Sequence, residues 1–192
     1  MENSIIKLKN RQLKTINNYK MKIKLYLVFT FLAFFIINSY SQQITVGTRM
    51  PQFELMDQHG EYFNSLDYIN KQPMVVFFYT EDASPICTKE VLTFNENLEE
   101  FEKLGAVVIG INPATIISHR KFVVKLQIKY PILFDRNNQI QKNFRIPNVK
   151  KTKLPQRFTF IMDKKGIIQK IVHRDDNAEV HIIEALKFLK DL

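Results

Sequence analysis

Cys87 is the only cysteine in the sequence and the side chain with the clearest claim to nucleophilic chemistry. It lies in Met74–Lys89, MVVFFYTEDASPICTK, where an apolar run opens into a polar loop and the loop gives way to helical spacing. Ser84 is suited to cap that helix and Pro85 to occupy its first position, which places Cys87 in the first turn. A thiol there faces unpaired backbone N–H groups and the positive end of the helix dipole. Both favour the thiolate, the nucleophilic form of sulfur. The Ser84 hydroxyl, three residues earlier, is placed to donate to the sulfur or to an oxygen bound there. The bland alternative is a small buried hydrophobe, a common role for a free cysteine. Position argues against that alternative, because the loop after a central strand is where open α/β sheets hold ligands. A lone cysteine also excludes an internal disulfide framework and any zinc site built on several thiolates. The four histidines, His59, His119, His173 and His181, lack HExxH-like spacing and read as core or surface residues, so no metal is expected.

The elements that must position Cys87 alternate between two hydrophobic periods. Met74–Tyr79 is a continuous apolar run after Pro73, as expected of a strand covered on both faces. From Pro85 to Leu104 the period is helical, with Val91, Phe94, Leu98, Phe101 and Leu104 on one face, the acidic run Glu96–Glu102 on the wet face, and Gly105 as the stop. Ala106–Ile111 reads as a second buried strand, Ile116–Leu126 as an amphipathic helix and Ile132–Phe134 as a short strand. After a loop through Asn148–Gln156 come Phe158–Met162, a turn at Asp163–Gly166, and Ile167–Val172. Ala178–Leu189 closes the chain as a helix. Ahead of all these, Phe53–Leu55 and Tyr62–Phe63 flank a Gly-containing turn and read as a hairpin. Strands alternating with helices and ending in a hairpin predict an α/β fold with a central mixed sheet flanked by helices.

Of 192 residues, 28 are basic and 19 acidic, a formal net charge of +9. The excess is localised: residues 1–24 hold seven Lys and Arg against Glu2 alone. No basic stripe with interleaved aromatics remains in the rest, so a nucleic-acid role is not expected. The basic leader continues into the apolar run Leu25–Ile37 and the small polar stretch Asn38–Gln43, the layout of a secretory signal. The run is short for a bilayer span, which wants about 20 apolar residues. Residues 1–41 are therefore read as an N-terminal extension and signal, with Met21 a candidate true start, and 42–192 as one globular domain. Export to the periplasm or medium is expected, without stable membrane association after cleavage; an uncleaved signal anchor is the alternative.

Thr80–Glu90, TEDASPICTKE, resembles the active-site loop of the peroxiredoxins, the thiol-specific antioxidant and alkyl hydroperoxide reductase superfamily, and is most similar to its bacterioferritin-comigratory (Q-type) branch. The resemblance extends over about Gly47–Leu192: Pro51–Leu55 is similar to the family's opening strand, Ser118–Phe122 to its second helix, and Arg157–Asp163 to the late strand carrying an arginine. It implies a thioredoxin-like fold and a thiol-dependent peroxidase for hydrogen peroxide and small organic hydroperoxides, passing through a cysteine sulfenic acid without metal, haem, flavin or other cofactor. It also implies roles: Cys87 as nucleophile, Arg157 as electrostatic stabiliser, Ser84 as hydroxyl partner, and Thr80 and Glu90 on the substrate side, Glu90 orienting the arginine. Read without it, Arg157 is a solvated neighbour of Lys150, Lys151 and Lys153. Two positions depart from the pattern. Thr80 stands where the family has proline, and Leu92 where the Q branch often has a resolving cysteine. Turnover would then follow a one-cysteine route, with the sulfenic acid reduced by an external thiol or a thioredoxin-like partner; a homodimer is compatible with the family. Two rivals fit the same fold. One is an exported thiol–disulfide oxidoreductase whose Cys-x-x-Cys has degenerated to Ser84-Pro85-Ile86-Cys87. The other is a catalytically silent binding domain.

Overall fold

The computed structural model describes residues 19–27, 30, 44–174 and 176–191. The chain divides into two compact units, residues 1–43 and 44–192. In the first, 19–27 and 30 are helical and exposed; most of the apolar run of the leader and the whole of its polar exit lie outside the described residues. No helix among the described residues is long and apolar enough to cross a membrane.

The second unit is built on a five-stranded sheet in the order β5-β4-β3-β6-β7, comprising β3 (Met74–Phe78), β4 (Val107–Asn112), β5 (Ile132–Phe134), β6 (Phe158–Met162) and β7 (Ile168–His173). β3, β4 and β5 run parallel, while β6 and β7 are antiparallel to their neighbours, so the sheet is mixed as the alternating pattern predicts. A separate antiparallel pair, β1 (Glu54–Met56) and β2 (Tyr62–Asn64), precedes it.

Every residue of β3 is buried, and its successive side chains enter two different cores, the consequence of a period of two in a strand covered on both faces. Val75 and Phe77 join a cluster with Val91, Phe94, Phe101, Phe122 and Ile182. These come from α1 (Pro85–Glu96), α2 (Leu98–Lys103), α3 (Ile116–Leu126) and α5 (Ala178–Lys190). Met74, Val76 and Phe78 face the other way, onto Phe53, Phe63, Ile140 and Phe144, from the β1–β2 unit and the short α4 (Gln139–Asn143) with its neighbour. A single glycine inside β4 has a packing reason: a Cβ on Gly110 would lie 2.7 Å from Ile132 Cδ1 and 2.8 Å from Phe77 Cζ.

The helix expected over Pro85–Leu104 is two helices broken at Asn97. The Asn97 N–H bonds the carbonyls of Thr93 and Asn95, and its side-chain amide bonds the Thr93 carbonyl again. An asparagine that competes for the backbone in this way ends a helix whose apolar spacing continues unbroken. Gly105 then takes a φ of +71°, the left-handed stop that the sequence calls for. α4 and two short 3-10 turns, Ser65–Asp67 and Arg136–Asn138, are too short to leave a periodic signature.

Candidate functional site

The site forms at the C-terminal end of β3. Tyr79 extends the strand by one residue, its N–H bonding the Ile111 carbonyl at 3.2 Å, and Thr80, half-buried, opens the loop. Ala83 takes a φ of +63°, unusual without glycine, and turns the chain into α1. Ser84 is the N-cap, its Oγ accepting from the Cys87 N–H at 3.4 Å, and Pro85 is the first helical residue. Cys87 is therefore in the first turn, and it is fully buried.

Two side chains complete the centre. Glu90 follows Cys87 by three residues, hence on the same face of α1, and is also fully buried. Arg157 directly precedes β6 and is 2% exposed, not a solvated member of the basic loop. The β3–β6 register, Phe78 opposite Phe158, carries it across 70 residues of sequence to the mouth of the loop. One guanidinium nitrogen, Nη2, lies 3.5 Å from Cys87 Sγ, and Nη1 donates to Glu90 Oε2 in a close charge-assisted bond. Burial works against the Arg157 charge. The Glu90 carboxylate and the Cys87 sulfur beside it outweigh that cost, so the guanidinium holds its proton more firmly than an ordinary arginine. Glu90, which the resemblance sets on the substrate side with Thr80 and orienting the arginine, is bonded to Arg157. Ser84 Oγ accepts the Cys87 N–H, which leaves its hydroxyl hydrogen to donate elsewhere.

The loop has an anchor that no local pattern in the sequence marks. Asp82, with its side chain 6% exposed, accepts from Tyr79 Oη at 2.8 Å and Asn112 Nδ2 at 3.0 Å through Oδ1, and from Ser118 Oγ at 2.6 Å and His119 Nδ1 at 3.0 Å through Oδ2. Because a carboxylate only accepts, His119 Nδ1 carries the hydrogen. These bonds fasten the Thr80–Ser84 loop to the end of β4 and to α3. Burial pushes the Asp82 pKa up, but His119, Ser118 and Asn112 more than reverse it, and the carboxyl ionises below its ordinary range. A carboxyl lowered in this way contributes stability wherever its unfolded form is ionised and gives it up as pH falls through the folded-state value. Asp82→Asn should therefore cost about 1–3 kcal/mol near neutrality, with the gap to wild type closing below about pH 4. Urea midpoints across that range check this; a gap independent of pH would remove Asp82 as the titrating anchor. The signal in the sequence is an acidic residue in the loop that leads to Cys87 and a histidine on the core face of α3, but their meeting is tertiary.

Burial raises the Tyr79 hydroxyl pKa well above its ordinary value, and the Asp82 carboxylate adds to the effect, so Tyr79 is a hydrogen donor throughout the physiological range. Among the described residues, no group of three or more His, Cys, Asp or Glu is arranged to hold a metal ion.

A buried thiol in the first turn of a helix has a guanidinium against it and a carboxylate behind, polar groups that an apolar core holds only when they are paired. The AhpC/TSA family profile matches residues 46–171. The chain belongs to this family, the peroxiredoxins. It is 36% identical over 155 residues to the chloroplastic peroxiredoxin Q of Sedum lineare, covering 81% of this chain and 83% of the relative. To that of Gentiana triflora it is 39% identical over 158 residues, 79% of this chain and 72% of the relative. Its fold is similar to the crystal structure of peroxidoxin BcpB from Mycobacterium tuberculosis, with a TM-score of 0.73 and 26% identity over 78% of this chain and 99% of that one. This peroxiredoxin is thus a thiol-dependent peroxidase with a thioredoxin-like fold, of the Q branch and with a single cysteine. The matches do not favour the degenerate thiol–disulfide oxidoreductase or the silent binding domain.

Proposed function

We propose that Cys87 is the peroxidatic residue of this peroxiredoxin, that Arg157 stabilises its reaction, and that turnover takes a one-cysteine route. The observation that carries this reading is Arg157 Nη2 at 3.5 Å from Cys87 Sγ. The Cys87 thiolate attacks one oxygen of hydrogen peroxide or a small organic hydroperoxide. The S–O bond forms as the O–O bond breaks, and the departing oxygen takes a proton and leaves as water or alcohol. The negative charge moves from sulfur to the leaving oxygen, and Arg157, fixed by Glu90, lies along that path. Ser84, whose Oγ accepts the Cys87 N–H, and Thr80, at the head of the same loop, supply hydroxyls to orient the peroxide. The product on the enzyme is a sulfenic acid, the first and reversible oxidation level of cysteine.

With no second cysteine in the sequence, an external thiol or thioredoxin-like protein attacks the sulfenic sulfur, releases water and leaves a mixed disulfide for a second thiol to resolve. Cys87 is fully buried, so a protein reductant needs the Thr80–Cys87 segment to swing out before it can reach the sulfur. The domain from residue 42 acts after export, with residues 1–41 removed as a signal, and a homodimer is compatible with this reading. To test it, the purified domain is mixed with hydrogen peroxide and analysed by mass after trapping with a sulfenic-acid reagent. One adduct per chain, at Cys87, lost on adding a thiol or thioredoxin, is the expected result. No adduct, with oxidation no faster than that of a free thiol, would end the peroxidase role of Cys87. N-terminal sequencing of exported material should begin near Gln42; an intact leader would replace cleavage with anchoring.

A further inference from the structure

Behind Arg157 and Glu90 the structure holds a fourth side chain from the far end of the chain. His181, in the first half of α5, is fully buried. Its Nε2 lies 2.9 Å from the Arg174 carbonyl, at the junction of β7 and α5. A carbonyl only accepts, so Nε2 carries a hydrogen. The other ring nitrogen, Nδ1, is 2.8 Å from Thr159 Oγ1 and 3.9 Å from Glu90 Oε1. Both nitrogens are committed, and the ring is held with one edge on the β7–α5 junction and the other toward the Glu90 carboxylate.

We infer that His181 is a positioning residue of the peroxidase centre, holding Glu90 from the side opposite Arg157 and so fixing the guanidinium against Cys87. The inference rests on the Cys87 and Arg157 roles proposed above. Glu90 is a buried carboxylate whose Oε2 meets Arg157 Nη1. Oε1 is 3.9 Å from His181 Nδ1, too far for a hydrogen bond, so the ring, pinned by Thr159, acts on the carboxylate by occupying the space beside it. Rotation of that carboxylate would carry the guanidinium with it and shift Nη2 from its place 3.5 Å from the sulfur. Thr159 makes the arrangement rigid. It is fully buried in β6, two residues beyond Arg157, and shares its hydrogen bond with the same Nδ1 edge. Two polar side chains on different elements, both excluded from solvent, are expensive in an otherwise apolar core unless they satisfy each other. Here they do so beside the one buried carboxylate that orients the catalytic guanidinium. The charges elsewhere on α5 face outward: Glu179 pairs with Lys89 at 2.8 Å, and Glu184 pairs with Lys170.

The two edges of the ring can be separated by substitution, because an asparagine amide occupies the place of Nδ1 and a glutamine amide that of Nε2. The experiment measures second-order oxidation of Cys87 by hydrogen peroxide, and alkylation by iodoacetamide at the same pH, in wild type, His181→Asn, His181→Gln and His181→Leu, with thermal midpoints recorded alongside. Loss of the Nδ1 edge should slow both reactions roughly tenfold, the scale of a small misplacement at a reacting centre. Asn should restore the rate to within about threefold of wild type and Gln should not. Equal rates in the two amide variants, or a faster Gln variant, overturn the inference, since a role confined to the β7–α5 junction is served by the Nε2 edge. If the leucine variant fails to fold, the Asn and Gln comparison still decides. Arg157→Lys is measured in parallel: unchanged kinetics there would instead bring down the reading of Arg157 on which the inference stands.

Discussion

Cys87→Ser should abolish peroxide turnover, lowering it by at least about 10³-fold, while leaving the domain folded. The loss follows from the atom and not the geometry. A serine hydroxyl at the same helix N-terminus accepts the same electrostatic help, yet it stays protonated near neutrality and is a weak nucleophile toward an O–O bond. The fold survives because the cluster that holds Cys87 is built from larger apolar side chains, Phe77, Val91, Phe94 and Phe101 among them. A polar hydroxyl there has the Arg157 guanidinium within reach. Turnover is followed as consumption of hydrogen peroxide by the full chain with an excess of thiol, and folding by far-UV circular dichroism and thermal midpoint. Residual activity within an order of magnitude of wild type would mean that sulfur is not the group attacked, and no second cysteine exists to inherit the role.

The strand, loop and helix that carry Cys87 were legible because every signal is local: an apolar run, a capping serine, a proline at the first helical position. The same holds for β4, β6 and β7, whose apolar runs fall where the strands lie. The break at Asn97 was not legible, since apolar spacing runs straight through it and a single side chain's competition for backbone carbonyls decides the outcome. Arg157 shows the limit more sharply. From composition it belongs with Lys150, Lys151 and Lys153, and only the family resemblance set it apart. What places it at the sulfur is the antiparallel β3–β6 pairing, a register set by the whole sheet. The roles of Asp82, His119 and His181 are hidden in the sequence for the same reason. A buried histidine differs from a surface one by its neighbours, and those come from elements 37 residues away for the Asp82–His119 pair and 22 for Thr159–His181.

Arg157→Ala should damage the protein in two ways that can be measured separately. Removing the guanidinium takes away the donor nearest the sulfur and the leaving oxygen, which should slow Cys87 oxidation by about 10²–10³-fold, the cost of losing one aimed electrostatic group. It also strips Glu90 of the cation on Oε2, leaving a fully buried carboxylate. Breaking a buried pair from one side typically costs about 3–5 kcal/mol, much of it the penalty of stranding the other charge. A second substitution separates the two effects. In Arg157→Leu with Glu90→Gln no charge is stranded and much of the volume is kept, so the urea midpoint should recover most of its loss while the oxidation rate stays low. Arg157→Lys should fall between, since an ammonium supplies charge without the fork that reaches Glu90 and Cys87 together. Should stability and rate recover in step in the double variant, the guanidinium would be a structural counter-ion to Glu90 and no part of the reaction. If stability recovers alone, the buried ion pair is held in place by its function: the fold accepts an arginine at the end of the sheet because the sulfur beside it needs one.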